Sequence, residues 1–73
     1  MKVKETIYKI KNTLNARLVQ KVEQLCVVTQ NCSLGTVMVQ IVSLEGNVYY
    51  HTPTAQFKLN KQDLEKVDTG TRS

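Results

Sequence analysis

The sequence predicts a small α+β domain. An N-terminal amphipathic helix packs on a small antiparallel sheet of four to five strands, barrel-like or strongly bent. Three observations carry this expectation. Ile7, Ile10, Leu14 and Leu18 recur at spacings of three and four, the period of a helix face. Thr36 to Leu44 alternates as a strand does. Phe57 to Val67 reads as a strand, a tight turn and an apolar plug. One long helix followed by a three-stranded meander is the alternative.

The 73 residues are expected to form one domain over 1–73. Its helix takes about 5–20, its sheet about 24–68, and a polar, frayed tail 69–73. A chain this short buries roughly 60% of its unfolded surface, so small domains lean on disulfides, metals or partners. Cys26, Cys32 and His51 are too few to build a soft four-ligand metal site, and no cofactor is expected. The cysteines read as free thiols in a reducing cytosol, with a single Cys26–Cys32 bridge as the alternative. Self-association, as a homodimer or larger oligomer, is then the expected extra source of stability.

Thr6 to Gln20 reads as one helix, capped by Thr6. Thr6-Ile7-Tyr8-Lys9-Ile10 is β-branched and aromatic enough to keep a strand open there, with Asn12 then capping a shorter helix. From Lys21 the apolar stripe could run on through Val22, Leu25 and Val28. Val27-Val28-Thr29 is β-branched, which favours a strand from about Gln24 to Thr29. Asn31 to Gly35 is a turn by composition.

In the Thr36–Leu44 strand, Val37, Val39 and Ile41 share one face and Met38, Gln40, Val42 and Leu44 the other. A reversal at Glu45-Gly46 would pair Ser43 with Val48, Ile41 with Tyr50 and Val39 with Thr52. Pro53 ends the partner strand, because it cannot donate to a ladder. Ala55, Phe57 and Leu59 then alternate inward. Asn60 and Asp63 are spaced like a capping box. The residues after Asn60 are read as a 3₁₀ turn dropping Leu64 into the core before a very short strand. A terminal helix over Lys61–Val67 is the alternative. The expected core is Ile7, Leu14, Leu18, Val37, Val39, Ile41, Val48, Tyr50, Phe57, Leu59 and Leu64.

Phe57-x-Leu59 with Asp63-Leu64-Glu65-x-Val67 after it resembles the closing segment of SH3-like small barrels, the group of KOW, Tudor and Sm-type domains. In those, a 3₁₀ turn separates the fourth strand from a short fifth. The resemblance covers Gln24 to Val67. A leading helix before five strands is also similar to the bacterial Sm-like layout. The chain has no aromatic cage, Sm-type RNA motif or SH3 ligand groove, so no functional residue is carried over.

The net charge of +4 is unevenly spread. Lys2, Lys4, Lys9, Lys11, Arg17 and Lys21 stand against Glu5 alone, whereas residues 22–57 contain no Lys or Arg. No uninterrupted apolar run forms a signal peptide or a membrane span, so a cytoplasmic, membrane-free protein is expected.

Catalysis is not expected. His51 reads as a hairpin-surface histidine, and Asp63, Glu65 and Asp68 as solvated charges and a cap. No glycine-rich phosphate cradle occurs, and no small-molecule substrate is implied. The expected function is a small non-enzymatic regulator, inhibitor or adaptor, of a size and style common in phage and mobile elements. It would act through protein contacts on the uncharged face of Met38, Gln40, Val42, Leu44, Tyr49 and His51. Sequence-tolerant nucleic-acid binding is the rival. It would use Lys9, Lys11, Arg17, Lys21 and Lys58, with Tyr49 and His51 free to stack on bases.

Overall fold

A computed structural model describes residues 5–67. Its elements are β1 (Ile7–Ile10), α1 (Leu14–Leu18), β2 (Leu25–Asn31), β3 (Thr36–Glu45), β4 (Val48–His51), β5 (Phe57–Asn60), a 3₁₀ turn (Lys61–Asp63) and β6 (Leu64–Lys66). The expected tail at 69–73 lies outside the described residues, as does Asp68.

The long N-terminal helix is not there, and with it goes the helix-on-sheet layout. The long-helix-plus-meander alternative fails for the same reason. The described residues are mostly antiparallel sheet with one short helix. The physical reason lies in how Ile7 and Ile10 are buried. Three apart on a strand, two side chains point to opposite faces. Ile7 enters one apolar cluster and Ile10 another, so both are buried without sharing a helix face. A strand buried on both faces thus imitates the first step of a helical stripe. Leu14 and Leu18, assigned to the core by that stripe, are 64% and 72% exposed. Ala16 is the α1 residue that faces inward.

The sheet runs β4-β3-β2-β1-β6, and β5 also pairs with β3. β2 occupies one edge of β3 over Val37–Ile41, so β4 and β5 share the other edge. They act as one interrupted strand, with 52–56 as an excursion between them. Thr52 holds the break: its N–H and its Oγ1 both donate to Ile41 O, at 3.3 and 2.7 Å. Gln40 Nε2 donates to the carbonyls of Thr52 and Thr54 at 3.1 and 3.0 Å. Ala55, expected inside, is exposed.

The hairpin register differs from the expected one by two residues. Glu45 pairs with Val48, Ser43 with Tyr50 and Val42 with His51, leaving Gly46-Asn47 as the turn. Gly46 has a φ of +64°, a left-handed conformation that glycine adopts without a steric penalty. An even offset preserves which residues share a face, whereas an odd one would invert them. Val48, Tyr50 and Phe57 are half-buried rather than fully in the core.

β5 turns through Lys61–Asp63 into β6, which pairs with β1 through Ile10 and Leu64. The turn therefore joins the two outer edges of the sheet. Lys61 N–H donates to Gly35 O, and Lys11 N–H to Asp63 O, both at 2.8 Å. Asp63 is not a solvated acid: it is 3% exposed, and Asn15 Nδ2 donates to its Oδ2 at 3.4 Å. Asn60 flanks the turn without a side-chain capping bond.

The main core gathers Ile10, Ala16, Cys26, Val37, Val39, Ile41, Leu59 and Leu64. A smaller cluster of Ile7, Val27 and Val42 lies on the opposite face, flanked by Leu25, Tyr49 and Val67. Replacing Ile10 by Ala is expected to destabilise the fold by about 2–5 kcal/mol. Leu14→Ala should stay within about 0.5 kcal/mol of the parent. Urea unfolding of the two variants separates a β1 strand from a helical stripe, which would penalise both.

Candidate interaction surface

α1 begins at Thr13, whose extended backbone (φ −114°, ψ 166°) and Oγ1 make it the N-cap; Oγ1 accepts from Ala16 N–H at 3.2 Å. With Ala16 inward and Asn15 bonded to Asp63, the helix cannot also bury Leu14, Leu18 and Val19. All three are exposed.

A further exposed aliphatic residue stands on the β2–β3 turn. Leu34 and Gly35 both have positive φ, +61° and +75°. Thr36 closes the turn by donating N–H and Oγ1 to Ser33 O at 3.3 and 2.7 Å. The left-handed region costs a side chain with a Cβ roughly 1–2 kcal/mol, and Asn or Gly is the usual occupant. Leucine occupies it here, 97% exposed. Neither backbone preference nor core packing accounts for a leucine at that position.

These residues frame two adjoining depressions. The first, about 290 Å³, opens between α1 and β5 and is lined by Asn15, Leu18, Val19, Thr36, Lys58, Leu59 and Asn60. The second, about 340 Å³, is lined by Leu34, Gly35, Asn60, Lys61 and Gln62, so Asn60 belongs to both. Neither lining contains an acid; Lys58 and Lys61 supply the charge. A third hollow of about 340 Å³ lies among β1, β2 and β6, with Glu5 and Lys61 on its wall and Tyr8, Val28, Val37 and Leu64 among its lining. Its charges are mixed, and it has no aliphatic rim of comparable exposure.

The residues expected on the uncharged sheet face are distributed differently. Val42 is buried and Tyr49 packs against its cluster. Gln40 is engaged with the 52–56 excursion. Met38 and His51 are half-buried, and His51 Nδ1 is enclosed without a hydrogen-bond partner among the described residues. Leu44 is exposed.

Lys9, Lys11, Arg17 and Lys21, expected along the N-terminal helix, do not share one helix. Lys9 is on β1 and pairs with Glu23 at 3.3 Å. Lys11 comes just after β1, Arg17 is exposed on α1, Lys21 lies beyond it, and Lys58 is on β5. The structure brings Lys58 to α1 across the first depression.

Cys26 and His51 sit on opposite faces of the sheet, since Cys26 pairs with Ile41 and His51 with Val42. They cannot form a nucleophile–base pair. Burial pushes the Cys26 thiol up to about 12, keeping it protonated and inert at neutral pH. Both cysteines are free. Among the described residues no group of three His, Cys, Asp or Glu side chains is placed to hold a metal. No described helix is long and apolar enough to cross a membrane.

No family model, curated protein or solved structure matches this chain.

Leu34→Asn is expected to raise stability by about 1 kcal/mol, because asparagine tolerates the left-handed backbone that leucine strains; the urea midpoint measures it. At pH 8 a thiol reagent should modify Cys32 and leave Cys26 untouched until the protein is unfolded. Mass spectrometry of the native and denatured protein reads both sites. The raised thiol also has a stability sign. Its contribution is complete below the ordinary value of 9.0 and is lost as pH rises toward 12.

Proposed function

We propose that this chain is a non-enzymatic binding protein that acts as a regulator, inhibitor or adaptor through protein–protein contacts. One observation carries the reading. Leu18, Val19 and Leu34 are held in solvent around adjoining depressions, although α1 and the turn are fixed by hydrogen bonds that put them there. Exposed aliphatic side chains on a small domain mark contact surfaces when they cluster. The surface differs from the expected one: it lies on α1, the β2–β3 turn and β5.

The likeness to SH3-like small barrels is part of this proposal. It is supported by the order β4-β3-β2-β1-β6 and by the 3₁₀ turn between β5 and β6. Small barrels of that class commonly serve as binding modules, and fold alone assigns no partner. A cytoplasmic setting is proposed on the two free thiols.

Affinity capture from the native host, with and without nuclease, tests the reading. A stoichiometric protein should survive nuclease and be lost from a Leu18→Glu variant whose melting temperature matches the parent. Loss of every partner on nuclease treatment, with affinity for random RNA falling steeply as salt rises, would replace it by nucleic-acid binding through Arg17, Lys21 and Lys58.

A further inference from the structure

Resting on the protein-binding reading, we infer that the β5 edge together with the α1 groove receives an extended, acidic segment of another protein. The segment adds as a strand beside β5 and inserts one large apolar side chain between α1 and β5.

Three features carry this. β5 pairs with β3 on one edge, and its other edge has no strand partner among the described residues. Such an edge presents backbone donors and acceptors that a peptide strand can satisfy. Bordering β5 is the depression whose apolar wall is Leu18, Val19 and Leu59. At about 290 Å³ it lies just under the range of small-molecule sites, roughly 300–1,000 Å³, and suits one inserted side chain. The third feature is charge. Lys58 lies on the edge strand and Lys61 just beyond it, and no acid lines either depression.

The same charge selects the occupant. A second copy adding β5 against β5 would gather Lys58 and Lys61 of both copies along one seam, and like charges across a strand pair are destabilising. An acidic strand meets attraction at the same positions. Phosphate backbones would gain from the lysines but have no use for Leu18, Val19 and the groove. A base is not drawn to an aliphatic slot as it is to an aromatic face.

The full chain is used to select from a displayed library of random octapeptides. Selected peptides are then mapped by amide chemical-shift changes. The expected peptides carry an excess of Asp and Glu around one large apolar residue and perturb Lys58, Asn60, Leu18 and Val19. Methylating their alternate backbone amides should abolish binding. Lys58→Glu/Lys61→Glu should weaken it at least tenfold, and Leu18→Glu should do the same without altering the melting temperature. Selected peptides that are neutral or basic, or that bind another face, would overturn this inference and leave the protein-binding reading standing. A failure to select any peptide, with binding only to random RNA or to vesicles of anionic lipid, would overturn both. Self-association that Lys58→Glu strengthens would assign the edge to a second copy instead.

Discussion

The structure depends on the join made by residues 61–63. A bent sheet of short strands leaves two outer edges, and here one turn connects them. It is held by the Lys61–Gly35 and Lys11–Asp63 backbone bonds and by the Ile10–Leu64 pairing. Only because that join is made can Leu64 close the main core over Ile10, Val37 and Leu59. Asp63 is drawn inside by the same geometry. Its carbonyl accepts from Lys11, just after β1, and its carboxylate from Asn15 on α1. A buried carboxylate is costly unless it is bonded, so Asn15 has to stay where Asp63 needs it. That fixes the rotation of α1, and the rotation leaves Leu14 and Leu18 in water.

How legible the fold is in the residues differs by element. β3 is plain, since Val37, Val39 and Ile41 alternate with a polar-containing face and all three are buried. The short closing turn and strand are also readable, because Pro53 and Asn60 punctuate the run and Leu64 has nowhere else to go. β2 can be read nearly to its ends. The N-terminal third misleads. Ile7 and Ile10 are buried on opposite faces, and spacing alone cannot tell that from one helical face. Leu14 and Leu18 then complete a false stripe, while Ala16, the true inward residue, carries too little hydrophobic signal to stand out. The expected hairpin register is off by two because the Gly fits either central position of its turn. Parity survives, so the face assignments do too.

The candidate surface is illegible for a related reason. Periodicity says which side chains lie together, never whether anything covers them. By spacing, Leu18 belongs to the core and Lys58 is a distant surface charge. Only the packing of α1 beside β5 makes them neighbours. Composition places Leu34 in a turn, but its φ of +61° and full exposure are properties of the fold alone. Conversely, the face of Val42 and Tyr49 looks uncovered in the sequence, because the second small cluster exists only when β1 is a strand.

The pairing of β1 with β6 also governs when the chain can fold. Loop-closure entropy is lost before a contact between distant residues returns anything, and such sheets form slowly. Asn15 and Asp63 are already 48 residues apart, and the β1–β6 ladder reaches further in both directions. During synthesis the two hairpins of the middle can form as they emerge, but β1 has only β2 beside it until β6 appears. Ribosomes add roughly 5–20 residues per second, so Ile10 waits seconds for Leu64. A nascent chain halted before that leucine leaves the outer edge of β1 unpaired, where a strand of a neighbouring chain on the same message could add.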